Sequence, residues 1–220
     1  MIKAVIFDMD GLLIDSESFW QEAEILVFKR VEIILTNSMC LQTKGLRIDQ
    51  VVDYWYQKYP WTNLSKQEVE ESIVAKVIEL IHLKGEPSPG VDQAISLVKE
   101  KQLKIALASS SAYKIIHAAL EKLNLTDVFA EIYSAEVEPL GKPHPGVYLT
   151  TANKLAVLPQ DCLALEDSLN GVLAAKAAQM KCIAIPEPLQ YHNSKFAIAD
   201  VILKSLQELD NELWDQINYL

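Results

Sequence analysis

Cysteine is scarce in this sequence: Cys40, Cys162 and Cys182 are the three in 220 residues, and no two of them form a C-x-x-C pair. Such an odd, scattered set excludes a disulfide framework and a structural zinc site, and it suits a reducing compartment. Glycine (7) and proline (9) are too few for a collagen-like or low-complexity chain. Positive charge is also short, because 20 Lys and Arg face 30 Asp and Glu, a formal net charge of −10. Nucleic acid and anionic membranes need clustered Lys and Arg, so neither is an expected partner. No apolar run approaches the ~18 residues that suggest a membrane span. The opening MIKAVIFDMD enters a strand-like segment without a basic leader or cleavage site, so a cytoplasmic protein is expected, acting as a monomer.

Half of the residues are hydrophobic, and the length suffices for one well-cored domain with a smaller appendage. Ala4-Val5-Ile6-Phe7 is an apolar run of β-formers stopped by Asp-Met-Asp-Gly, the pattern of a strand buried on both faces. Ile105 to Ala108, Ile132-Tyr133, Cys162 to Leu165 and Cys182 to Ile185 repeat it. Helical patterns lie between them at Val91 to Lys101, Ala112 to Leu123, Pro145 to Lys154 and Asn170 to Ala178. This alternation predicts an α/β fold, a doubly wound parallel sheet of Rossmann-like type with right-handed crossovers. Residues 16–83 break the alternation, with helical periodicity at Glu17 to Val27, Ile48 to Lys58 and Lys66 to Leu83 and no central strand. They predict a small helical domain inserted after the first strand, leaving 1–15 and 84–220 as the core. Gly85, Pro87, Pro89 and Gly90 punctuate the return.

Ligands of an open parallel sheet bind beyond the carboxyl ends of its strands. The residues there are Asp8 and Asp10, then Ser109-Ser110-Ser111, then Glu166-Asp167, with Lys142 in a Gly-Lys-Pro loop after the third strand. Each type has work in phosphoryl transfer, which depends on positioning and on neutralising the equatorial oxygens. A carboxylate at Asp8 can attack phosphorus, and one at Asp10 can protonate the leaving alkoxide and then deprotonate water. Two anions facing a phosphate need a divalent cation, and Mg²⁺ suits oxygen ligands from Asp8, the backbone carbonyl of Asp10 and Asp167. Glu166 is either a further ligand or a group that orients metal-bound water. Ser109, Ser110 and nearby N–H groups can hold phosphate oxygens, with Lys142 balancing charge.

Asp8-Met9-Asp10-Gly11, Ala108-Ser109-Ser110-Ser111, Gly141-Lys142-Pro143 and Glu166-Asp167-Ser168 resemble, in order and spacing, the four motifs of the haloacid dehalogenase-like superfamily. The resemblance spans essentially the whole chain. The insert after the first motif looks like the cap of the subgroup containing phosphoglycolate phosphatase and β-phosphoglucomutase. Gly45-Leu46-Arg47-Ile48-Asp49, Asp53-Tyr54-Trp55-Tyr56 and Pro60-Trp61 are similar to the bacterial hexitol phosphatase/2-deoxyglucose-6-phosphatase branch. That likeness implies a Mg²⁺-dependent phosphatase of small phosphorylated metabolites, sugar or sugar-alcohol phosphates, with a phosphomutase as the alternative. A dehalogenase would need neither Asp10 nor a metal, and a silent binding protein would not need every reactive group. Lys44 and Arg47 are the cap residues expected at the substrate, because a cap presents polar groups to the site it covers. Trp20, Trp55 and Trp61 read as packing residues first, and residues 205–220 as a solvated amphipathic end.

Overall fold

The structure is a computed structural model and describes residues 1–219. Strand β1 (Ala4–Phe7) is followed by helices α1 (Glu17–Phe28), α2 (Asn37–Cys40), α3 (Ile48–Lys58) and α4 (Lys66–Lys84). Then come α5 (Val91–Glu100), β2 (Lys104–Ser109), α6 (Tyr113–Lys122), β3 (Glu131–Ser134), α7 (Gly146–Lys154), β4 (Cys162–Glu166), α8 (Leu169–Ala177), β5 (Lys181–Ala184), β6 (Val201–Ile202) and α9 (Asn211–Tyr219). The six strands form one sheet in the order β3-β2-β1-β4-β5-β6, and every pairing is parallel. Phe7 pairs with Leu107 on one side and Leu165 on the other, so β1, β2 and β4 run in step. Their carboxyl ends therefore share one edge, where the chain has placed its acidic and hydroxyl residues.

The period of two along each strand divides the core. Val5, Phe7, Leu107 and Leu165 point to the face covered by α5, α6 and α9. Ala4, Ile6, Ala106, Ala108 and Ala164 point to the face covered by α7 and α8. Small side chains on that second face let the two helices approach closely. Cys162 and Cys182 are fully buried there as small apolar groups.

Between β1 and α5 the chain is helical, and α1, α3 and α4 start and end within one residue of the positions their periodicity predicts. Helix α4 begins with a capping box: Glu68 N donates to Ser65 Oγ at 3.1 Å, and Ser65 N to Glu68 Oε2 at 2.7 Å. Trp55, Val69, Ile73 and Val77 are buried among these helices. The two segments entering and leaving this region lie side by side, with Ser88 N donating to Leu13 O at 3.0 Å and Ile14 bridged to Pro87.

The structure corrects the sequence reading at three places. Strand β6 has two residues, too short to show a periodic signature. Helix α2 is one turn, held by Met39 N donating to Thr36 Oγ1 at 3.3 Å. The C-terminal segment is not merely a solvated end: Trp214 and Ile217, three residues apart on α9, are buried against the sheet. Lys181 Nζ and the Ile2 amide also reach α9, at the Ile217 carbonyl (2.7 Å) and Asn218 Oδ1 (2.9 Å). Among the described residues no helix is long and apolar enough to cross a membrane.

Candidate active site

Asp8 follows β1 directly, its amide still donating to Leu165 O of β4 at 3.0 Å. That ladder bond aims its side chain at Lys142, whose Nζ lies 2.7 Å from Asp8 Oδ1 and 2.6 Å from Glu166 Oε1. The same ammonium donates to Ala108 O at 3.1 Å, so all three of its protons have acceptors. Glu166 is fully buried and also accepts from Tyr148 Oη. Burial disfavours the Lys142 charge, but Asp8 and Glu166 outweigh it and hold the ammonium above its usual range. Asp8 is pushed well above the carboxylate range by burial, then by Glu166, against the pull of Lys142.

Asp10 faces the same cavity with a different set of donors. Ser16 Oγ (2.6 Å) and Trp20 Nε1 (2.8 Å) donate to its Oδ1, and Ser111 Oγ (2.6 Å) to its Oδ2. Ser16 and Trp20 stand one helical turn apart at the start of α1, so the inserted helix itself orients this carboxylate. Ser111 N donates to Ser109 Oγ at 3.0 Å, and Ser134 Oγ to Ser111 O at 2.6 Å, which fixes the turn after β2.

Asp167, just after β4, is buried and pushed up to about 7 by that burial, against the pull of Lys44. Lys44 Nζ stands 2.8 Å from Asp167 Oδ2, yet off the hydrogen-bonding direction, so this buried oxygen has an ion-pair neighbour and no directed donor. Carboxylate oxygens of Asp8, Glu166 and Asp167 come within 4.8 Å of one another. Three converging carboxylates with an unsatisfied oxygen are a donor set that fits a hard divalent cation. Gly11 and Gly171 keep space for them, since a Cβ on Gly11 would lie 2.3 Å from Asp167 Oδ2 and one on Gly171 2.0 Å from the Glu166 carboxyl.

The loop between α2 and α3 closes the site from above. Asn170 Nδ2 donates to Lys44 O at 3.0 Å and Ser110 Oγ to Gly45 O at 3.1 Å. Lys44 Nζ also meets Glu187 at 2.5 Å and Glu17 at 3.7 Å. Beneath the loop lies a cavity of about 60 Å³, lined by Asp8, Asp10, Ser109, Lys142 and Asp167 and roofed by Lys44 and Trp20. Ser110 lines it too.

Nine residues were expected at a site, and the structure brings eight together. Arg47 is the exception and a correction: it lies outside the cavity, with Nε 2.6 Å from Asp49 Oδ1 and Nη2 2.7 Å from Asp49 Oδ2. Its Nη1 donates to the carbonyls of Ala135 and Glu138 at 2.9 and 2.6 Å, fastening α3 to the segment after β3. Four of its five N–H donors are so engaged, and these partners hold it outside the cavity. Ser16, Trp20, Ser111 and Tyr148 enter the site as residues whose orienting roles the sequence reading did not assign. For Ser16 and Trp20 the signal was present, as a hydroxyl and an indole on one helix face directly after the Asp-rich turn. For Tyr148 there was none.

The haloacid dehalogenase-like hydrolase family model matches residues 5–185. Hexitol phosphatase B of Escherichia coli K12 is 46% identical over 209 residues, covering 94% of this chain and 94% of its own. A variant of CbbY from Rhodobacter sphaeroides, in complex with xylulose 1,5-bisphosphate, has a TM-score of 0.87 at 25% identity, covering 95% of this chain and 96% of that one. β-Phosphoglucomutase from Clostridium difficile gives the same TM-score and identity over 100% and 98% of the two chains. The family match, the likeness of sequence along nearly the full length and the shared fold agree, and this chain belongs to the haloacid dehalogenase-like hydrolase family of enzymes.

Proposed function

We propose that this protein is a Mg²⁺-dependent phosphatase that hydrolyses sugar or sugar-alcohol phosphates through a phospho-Asp8 intermediate. The observation that carries the reading is the convergence of Asp8, Glu166 and Asp167 at one sheet edge, the first two on Lys142 and the third on Lys44, under a helical lid that also holds Asp10. Similarity to hexitol phosphatase B supports the substrate class. In this reading residues 16–83 are a cap over a core of 1–15 and 84–220.

Asp8 Oδ attacks phosphorus while the ester P–O bond breaks, and Asp10, held by Ser16, Trp20 and Ser111, gives its proton to the departing alkoxide. Water then attacks the aspartyl phosphate, Asp10 takes the proton released, and inorganic phosphate leaves with the Asp8 carboxylate restored. Ser109 and Ser110 hold phosphate oxygens, and Lys142 balances their charge. Asp8, the Asp10 carbonyl and Asp167 would hold Mg²⁺, with Glu166 as a further ligand or an orienting partner; when bound, the cation neutralises phosphate charge and favours the ionised form of Asp8. Lys44 and Trp20 roof the cavity, so substrate enters when the cap lifts.

A phosphomutase shares this chemistry, and the likeness to β-phosphoglucomutase favours that second reading. A mutase must hold a sugar that carries a second phosphate during turnover, whereas the cavity's lysines, Lys44 and Lys142, already face carboxylates. Phosphate release from sugar phosphates, hexitol phosphates and β-glucose 1-phosphate, with Mg²⁺ or EDTA, tests both. Metal-dependent release that falls to background in Asp8→Asn is the expected result. Consumption of β-glucose 1-phosphate without free phosphate would replace the phosphatase by a mutase, and turnover surviving in Asp8→Asn would remove Asp8 as nucleophile.

A further inference from the structure

Glu24 takes no part in the chemistry above, yet its side chain lines the same cavity as Asp8 and Asp10. It lies on the buried face of α1 among Ala23, Val27 and Phe28, where an apolar residue would satisfy the helix equally well. The residue is 6% exposed, and among the described residues no donor reaches its Oε2. The groups that bear on it are the Cys40 thiol and the Glu17 carboxylate, with no cation among them. Burial pushes Glu24 up to about 8, so near neutral pH it is an uncharged acid, with one O–H to donate and a carbonyl oxygen to accept. The Cys40 thiol hydrogen-bonds this acid, and since buried polar groups in folded proteins are nearly always paired, the partner of Oε2 is left to be supplied from the cavity.

Position decides what that partner is. Trp20, which holds Asp10, is one turn earlier on the same face of α1, so Glu24 lies roughly 6 Å farther from the reacting end. That step matches the reach of a short carbon chain beyond its phosphate ester. Glu17, Cys40 and Thr43 line the cavity with it, and the Lys44 ammonium in the same lining already faces Glu17, Asp167 and Glu187, so this wall offers little to a second phosphate. A neutral acid that both donates and accepts is matched by an alcohol, which does the same.

We propose that Glu24 recognises a hydroxyl group on the uncharged chain of the substrate, selecting polyol monophosphates over bisphosphates and over alkyl phosphates. The proposal rests on the phosphatase reading above and adds a specificity-determining residue to it.

The test compares wild type, Glu24→Gln and Glu24→Leu on a hexitol 6-phosphate, its monodeoxy analogues and p-nitrophenyl phosphate. Wild type is expected to prefer the full hexitol phosphate over one of the deoxy analogues by about tenfold in kcat/KM. Glu24→Gln, which keeps a donor and an acceptor, retains most of that preference. Glu24→Leu erases it, and loses about tenfold more on the hexitol phosphate than on p-nitrophenyl phosphate. An undiminished preference in Glu24→Leu, or equal losses on all substrates, would overturn the role of Glu24 while leaving the phosphatase in place. A wild type that cleaves p-nitrophenyl phosphate and no polyol phosphate would overturn the substrate reading and this inference together.

Discussion

Glu24 binds a proton more tightly in the folded chain than in the unfolded one, and the sign of its effect on stability follows. Between its usual value of 4.5 and about 8 the folded protein keeps the proton and the unfolded chain releases it. Stability then declines as pH rises through that window, by up to roughly 5 kcal/mol from this residue. Glu24→Gln removes the titration, so the Tm of the variant relative to wild type is expected to climb from pH 5 to pH 8. A constant difference across that range would show that the acid is ionised in the fold. Nothing in the sequence pointed to this, because Glu24 has the appearance of an ordinary helical glutamate. Asp8, Asp10 and Asp167 were legible because each stands within three residues of the end of an apolar run, where a strand ends and a parallel sheet binds its ligands. Arg47 misled for a physical reason: its acceptors are Asp49 and carbonyls far along the chain at Ala135 and Glu138, and only folding brings the latter to it.

At the scale of elements, the loop from Thr43 to Arg47 joins the inserted helices to the strand ends. Gly45 lies there at a φ of +78°, and a Cβ on it would come 2.8 Å from Ser168 Oγ, the N-cap of α8. A left-handed backbone costs an alanine about 1–2 kcal/mol before that contact is counted. Gly45→Ala is therefore expected to push the loop off the core and lower kcat/KM about tenfold or more, with Asn170 and Ser110 losing their acceptors at Lys44 and Gly45. Unchanged kinetics would mean that the closed loop contributes nothing to turnover. Helices α1, α3 and α4 around it were readable from periodicity to within a residue, since each buries an apolar stripe, whereas the single turn of α2 before it was not. The loop conformation was not, because it depends on hydrogen bonds to residues more than 60 positions away.

Across the whole molecule a net charge of −10 coexists with a site proposed to bind phosphate, and the disparity is resolved locally. Lys142 and Lys44 offset part of the negative charge, and the carboxylate cluster leaves the rest for a cation. Mg²⁺ at a hundred times its Kd is expected to stabilise the fold by about 2.7 kcal/mol, read as a rise in Tm. The rise should vanish in Asp167→Asn; if it persists there, the cation binds elsewhere. The parallel alternation that announced the sheet did not announce its order, which depends on which strands find the centre. That order has a consequence for synthesis. β1 is the first of the six strands to be made and is one of the two central ones, but its neighbours are β2, about a hundred residues later, and β4, later still. At about 5–20 residues per second the Ala-Val-Ile-Phe segment waits roughly 5–20 s for its first partner. Meanwhile helices α1 to α4 are made and can associate with one another, so the part of the chain that covers the site is ready before the sheet that it covers exists.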